Sequence, residues 1–277
     1  MDTRFWGPSG WKLLHIVSST YKSKNSILYS KFFETIPYIL PCKYCRFSLM
    51  DYYKEHPFPI GNHSLERWLY TIHNCVNDKL KKQGLHSGSN PSFAHVQKMY
   101  HMLCKESWTT QLQLCWDFLF AVGYNHPKDT YRNSTPMPDC PSGITRCKDK
   151  YEMNKWNVLP LKDRVLWYRR FWTSLPDVLP VEIATHWKET EKRNPATLES
   201  RRTTLAWLWR MRCSLDSNFK DPYTSICKKI ASYSSDCGTK KHGITCRKSR
   251  NKNKNKHLNK HLLQKYTRKT THVKQHP

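Results

Sequence analysis

Apolar residues recur along the first half of the chain at intervals of three and four, the period of one helix face. Trp11, Leu14, His15, Val17 and Ser18 predict a first helix over 9–21. Leu28, Phe32, Phe33, Ile36 and Ile39 predict a second over 26–40, which Pro37 would kink or end. A third is expected from Pro41 to about Lys54, with Phe47, Met50 and Tyr53 inward, because proline suits the first position of a helix. The prolines and glycine between His56 and Asn62 mark a loop. Ser64 is placed to cap a fourth helix with an apolar stripe of Leu65, Leu69, Ile72, Val76 and Leu80. Arg67 stands where a capping box would have Glu or Gln, so that box is incomplete. A Gly/Ser/Asn stretch over 81–91 interrupts the pattern, which resumes over 92–123 at Phe93, Val96, Tyr100, Leu103, Leu112, Trp116, Leu119 and Phe120. The expected fold class is all-α.

The pattern then repeats. Tyr29, Phe32, Phe33, Ile36, Pro37, Leu40 and Pro41 match Tyr168, Phe171, Trp172, Leu175, Pro176, Leu179 and Pro180 at a constant offset of 139. Trp68-Leu69-Tyr70 matches Trp207-Leu208-Trp209 at the same offset. Two separated blocks in one register indicate a duplicated structural unit. Prolines crowd residues 126–149, which read as a linker, and the tail from 236 is basic and poor in apolar residues, so it is expected to be disordered. The expected division is 1–125, linker 126–149, a second helical unit at 150–235 and a tail at 236–277.

Composition narrows the function classes. Nine glycines suit helices better than a many-turned β fold, and 11 Trp with 15 Tyr supply the cores. The formal charge of +26 is unevenly placed: from Thr239 onward there is no acidic residue, and the basic run there can contact acidic surfaces or nucleic acid. No run of 18 apolar residues predicts a membrane span, and Met1–Trp6 has no apolar leader, so an intracellular protein without a signal peptide is expected. In a reducing compartment, 11 cysteines argue for redox chemistry or metal rather than a disulfide framework.

The chemistry centres on Pro41-Cys42-Lys43-Tyr44-Cys45. A C-x-x-C pair at a helix start is either half of a zinc site or a thiol–disulfide centre. The dipole of the helix, with Lys43 and Arg46, favours a thiolate there. No second C-x-x-C supplies the other half of a structural zinc site, and no strand–helix alternation suggests a thioredoxin. On the fourth helix, His73, Asn74, Asn77 and Lys81 fall beside the apolar stripe, within about a third of the circumference. An imidazole, two amides and a cation on one face suit a dinucleotide.

Three segments resemble the Erv/ALR family of FAD-linked sulfhydryl oxidases: Trp6-Gly7-Pro8-Ser9-Gly10-Trp11-Lys12-Leu13-Leu14-His15, Leu40-Pro41-Cys42-Lys43-Tyr44-Cys45 and His73-Asn74-Cys75-Val76-Asn77-Asp78-Lys79-Leu80. They fall in the family's order, and they look most like versions carried by large DNA viruses. The resemblance implies a bundle of four helices plus a short fifth that holds FAD. It implies Cys42 and Cys45 as the catalytic disulfide, with Cys42 at the helix start expected to be the more exposed thiol that a client attacks and Cys45, one turn inside, expected to face the flavin. Cofactor contacts are implied for Trp6, Gly7, Trp11, His15, His73, Asn74, Asn77 and Lys81, with Tyr100 closing the site. Client dithiols or a thioredoxin-like carrier would be oxidised and oxygen reduced to hydrogen peroxide. A homodimer would be expected, in the cytoplasm of an infected cell or in a virion.

Four further points qualify it. The family often ties its fifth helix to its fourth by a disulfide, but Tyr70 and Ala94 stand at the matching positions. Cys140 and Cys147 are candidates for a mobile shuttle pair or are two unrelated thiols. The second unit reads as a degenerate oxidase copy, since Val181 and Ala184 replace the active pair and Arg212 and Cys213 replace His73 and Asn74. The rival classes are a zinc-binding module using Cys42, Cys45, His73 and Cys75, and a basic nucleic-acid-binding protein.

Overall fold

A computed structural model describes residues 1–59, 64–130, 153–154 and 159–234, all of them helical or in connections. Cys140, Cys147, most of the 126–149 linker and the 236–277 tail lie outside the described residues. Helices α1 (Thr3–Ser19), α2 (Ser26–Ile39), α3 (Lys43–Glu55), α4 (Leu65–Lys82) and α5 (Phe93–Leu103) form the first bundle. Three short helices follow: α6 (Trp108–Gln113), α7 (Trp116–Tyr124) and α8 (Pro127–Thr130). The second half contains α9 (Leu161–Val178), α10 (Val181–Arg193), α11 (Arg201–Leu215) and α12 (Tyr223–Ser232).

Local chemistry sets the helix boundaries. Asp2 caps α1 by accepting from the Arg4 amide at 2.9 Å, so the helix starts six residues before the first periodic tryptophan alone suggests. Ser64 Oγ accepts from Arg67 N at 3.2 Å at the start of α4. Gly84, at φ 69°, takes the left-handed conformation that ends α4.

Two expectations are corrected here. α3 begins at Lys43 rather than Pro41, and Cys42, extended at φ −118° and ψ 121°, is its N-cap. The Cys42 carbonyl accepts from Cys45 N at 3.1 Å and Arg46 N at 3.0 Å, which starts the helix one residue after it. The buried face of α3 is Arg46, Leu49 and Met50, with Phe47 and Tyr53 half-buried, and Leu28 on α2 is exposed.

The halves share one hydrophobic core. α9 lies along α2 and α1 lies against α7. Around these two contacts the arrangement repeats. α1 packs on α4 and α5 as α7 packs on α11 and α12, and α2 meets α3 as α9 meets α10. Equivalent side chains keep equivalent contacts. Phe33 meets Trp68 edge-on at 5.3 Å, and Trp172 meets Trp207 edge-on at 5.3 Å. Trp68 Nε1 donates to the His56 carbonyl that ends α3, and Trp207 Nε1 donates to the Asn194 carbonyl that ends α10. Phe32 and its counterpart Phe171 stack on each other at 5.7 Å, where α2 and α9 cross.

Candidate active site

The functional residues gather around a 530 Å³ cavity enclosed by α1–α5 and α7. Its wall is largely apolar, with Leu14, Ile36, Leu49, Leu69, Ile72 and Phe118. Of the residues expected from sequence, Trp6, Gly7, Trp11, Cys45, His73, Asn77 and Tyr100 line it. The pattern of α4 explains this: Leu69, Ile72, His73, Val76 and Asn77 are one face of a helix.

Four rings connect three helices along this wall. Trp11 stacks on His73 at 3.8 Å and 10°, His73 Nδ1 lies 3.0 Å from His15 Nε2, and His15 stacks on Tyr100 at 4.3 Å. His15 therefore stands behind the wall and orients His73. Burial, then the neighbouring His73, pushes the pKa of His15 down to about 3; burial, then His86, pushes His73 down to about 4. Both rings are neutral near pH 7, so one proton is shared across the contact.

Those shifts carry a pH dependence. Both values lie below the ordinary 6.5, so from pH 6.5 down to about 4 the unfolded chain binds protons that the native state refuses. Stability contributed by each neutral ring is present above pH 6.5 and is lost on acidification, by about 1.4 kcal/mol per pH unit. The melting temperature is expected to fall between pH 7 and 5, and less steeply in His15→Asn. Parallel slopes in the two proteins would assign the acid sensitivity to other groups.

α5 closes the site without a disulfide. Tyr70 OH donates to the Pro91 carbonyl at 2.9 Å and its ring meets Phe93 edge-on at 5.5 Å. Arg67 lies 4.1 Å over the Phe93 ring. Glu66 accepts from Gln97 Nε2 at 2.8 Å and pairs with His101 Nε2 at 2.9 Å. The position expected to lack its cysteine is thus the centre of a polar and aromatic clamp.

Other expected residues stand elsewhere. Asn74 is half-buried on α4 off the cavity wall, and Lys81 Nζ binds Asn90 Oδ1 at 3.0 Å on the loop side. The cations on the wall are Arg4, Lys12 and Lys79, the last donating to Ser48 Oγ at 2.5 Å. Lys79 lies three residues after Val76 and seven after Ile72, so the apolar stripe itself places it on this face. Cys42 is 3 % exposed whereas Cys45 is intermediate, the reverse of the order expected at a helix start. As N-cap, Cys42 has extended backbone and precedes the helix rather than lying on its surface.

The wall fits a flavin dinucleotide. The buried Trp6 Nε1 has no acceptor among the described residues, and space in front of Gly7 is open beyond 4 Å of a built Cβ. A ring system with acceptors would satisfy the first and use the second, while Lys12 and Lys79 suit phosphates.

A model of the Erv1/Alr family matches residues 8–100. A probable FAD-linked sulfhydryl oxidase of Acanthamoeba polyphaga mimivirus is 31 % identical over 85 residues, covering 28 % of this chain and 59 % of that protein. A putative FAD-linked sulfhydryl oxidase of Invertebrate iridescent virus 6 is 31 % identical over 94 residues, covering 30 % of this chain and 85 % of that protein. The mitochondrial FAD-linked sulfhydryl oxidase of Saccharomyces cerevisiae is 31 % identical over 86 residues, 29 % of this chain and 46 % of the yeast protein. The chain thus spans about three fifths of the mimivirus relative and less than half of the yeast one. No solved structure matches the chain.

Proposed function

Because the chain belongs to the Erv1/Alr family, we propose that it is an FAD-dependent thiol oxidase that makes disulfides in client proteins. One observation carries this: the sulfur-bearing Cys45 and the stacked Trp11–His73 pair border the same cavity. Trp6, Gly7, Trp11, His73, Asn77 and Tyr100 would hold FAD, with Lys12 and Lys79 near its phosphates. The chemistry FAD supplies when bound is the transfer of two electrons from the reduced pair to oxygen, giving hydrogen peroxide.

The chain's own steps are thiol exchange. A client thiolate attacks Cys42 of the Cys42–Cys45 disulfide, the S–S bond breaks, and Cys45 leaves as thiolate on the cavity side. The second client thiolate attacks the client sulfur of the mixed disulfide and frees Cys42. Because Cys42 is buried, the chain around it must move for the client to reach it. Cys140 and Cys147 are candidates to deliver electrons from the client. Cys147 lies seven residues before Asn154, whose Nδ2 donates to the Pro37 carbonyl at 3.1 Å.

An absorbance spectrum of the purified protein, followed by oxygen consumption with a dithiol, tests the proposal. Flavin bands and dithiol-dependent oxygen uptake support it; a colourless, zinc-loaded protein would overturn it. Among the described residues, no group of three His, Cys, Asp or Glu is placed to hold a metal ion, which weighs against the zinc module. No helix among the described residues is long and apolar enough to cross a membrane. The viral relatives favour infected-cell cytoplasm or virion as its place.

The second half is proposed to be a degenerate copy that stands where a second oxidase subunit would. Its equivalents of Cys45, Ser48 and His73 are Ala184, Trp187 and Arg212. Trp187 is 0 % exposed and lies 6.0 Å from Trp116, so indole rings fill the space that the first half leaves open. Arg212 lies over the Phe219 ring at 4.0 Å. The expected flavin content is one per chain. The α2 face is covered by α9, so a homodimer is expected to use another face. Light scattering with flavin absorbance checks both, and two flavins per chain would rule out the degenerate copy.

A further inference from the structure

The buried cation beside the active pair has no part in the exchange described so far. Arg46 follows Cys45 in the first turn of α3 and is 8 % exposed. Its backbone N–H donates to the Cys42 carbonyl at 3.0 Å. Its side chain turns back toward the helix start, and NH1 donates to the Leu40 carbonyl at 2.8 Å. Arg46 thus ties together both ends of the Leu40–Pro41–Cys42 turn, and its guanidinium is held at the N-terminal end of the helix, where both sulfurs lie. A buried guanidinium is costly unless a negative charge faces it. Burial lowers its pKa from the ordinary value, and the fields of Cys42 and Cys45, acting the other way, raise it.

We infer that Arg46 is a positioning residue of the oxidase: it holds the turn that carries Cys42 and stabilises the thiolate released when the Cys42–Cys45 bond is broken. The inference rests on the thiol-oxidase reading and deepens it. During exchange, one sulfur leaves with the electron pair of the S–S bond and carries a negative charge until it is protonated or oxidised. A fixed cation in a low-dielectric setting favours that charged state over both the protonated thiol and the disulfide. Helix α3 has no acidic residue in its first turn. Lys43, the other cation there, has its Nζ 4.9 Å from the Tyr44 ring centroid, and its half-exposed position is screened by solvent. Arg46 is therefore the stronger source of field at the pair.

The test uses the flavin-loaded full chain and two variants, Arg46→Gln and Arg46→Lys. After reduction, the rate of Cys42 and Cys45 alkylation is followed against pH by mass mapping, and the pair's potential is read against a glutathione buffer. In Arg46→Gln the alkylation midpoint is expected to rise by about one pH unit or more, and the potential to become more reducing. Arg46→Lys keeps the charge but loses the fork that reaches Leu40, so its midpoint should fall between the two. If Arg46→Gln does not fold, Arg46→Lys alone decides: a midpoint identical to the parent overturns the inference. So does an Arg46→Gln protein with lowered melting temperature but unmoved midpoint and potential, since a purely structural residue would give that result. Failure of the oxidase reading is separate: the parent protein would then bind no flavin and consume no oxygen with a dithiol.

Discussion

Cys42→Ser and Cys45→Ser are each expected to remain flavin-loaded and to lose dithiol oxidation, by roughly a thousandfold or more, down to the uncatalysed rate. A lone thiol cannot form the Cys42–Cys45 disulfide that client thiolates attack, so neither variant completes a cycle. Substitution of sulfur by oxygen is nearly isosteric, so the bundle is expected to stay folded. The two variants should still differ. Cys42→Ser keeps the sulfur that borders the cavity, whereas Cys45→Ser keeps only the buried one. A mixed disulfide formed with a small symmetric disulfide, whose other half leaves as thiolate, is therefore expected more readily on Cys42 of Cys45→Ser if that sulfur is where the client attacks. Oxygen consumption and intact-protein mass are the measurements, and normal turnover in either variant would remove these residues from the catalytic role.

His73→Ala is expected to purify with little or no flavin. The imidazole is the middle of the ring chain Trp11–His73–His15–Tyr100, which joins α1, α4 and α5. Its loss removes the stacking surface beside Trp11 and leaves the buried His15 Nε2 without its partner, a penalty of about 1–3 kcal/mol. The wall would relax before any cofactor arrives, so the loss in flavin affinity should exceed tenfold. The ratio of flavin to protein absorbance after desalting reads it directly. Full occupancy in the variant would mean that the cavity bordered by this face is not the cofactor site.

Local periodicity made most of this legible. The stripes on α2 and α4 were readable because each helix turns one apolar face to the core, and the offset of 139 carried the aromatic framework of the second half. What periodicity missed depends on contacts distant in sequence or on backbone geometry at a single residue. Proline at position 41 suggested a helix start, but the Cys42 carbonyl provides it, which inverted the expected exposure of the two cysteines. Following the polar stripe of α4 pointed to Lys81, while the cavity takes Lys79 from the edge of the apolar stripe. The role of α7, which packs on α11 and α12 as α1 does on α4 and α5, has no sequence signature, because α7 is shorter and follows the first bundle rather than leading the second.

The α4–α5 clamp has a consequence for the environment in which such a chain can work. Its members are a phenol, a phenyl ring, a guanidinium, an amide, a carboxylate and an imidazole, with no sulfur among them. Outside the active pair, the described cysteines at 75, 104, 115, 213 and 227 are free thiols. The architecture is therefore insulated from the electrons it handles: a surrounding thiol pool can be strongly reducing, or can swing from reduced to oxidised as clients are processed, without loosening a staple that keeps the site shut. Turnover and structural integrity answer to different chemical potentials, the first to electrons and the second to water and protons.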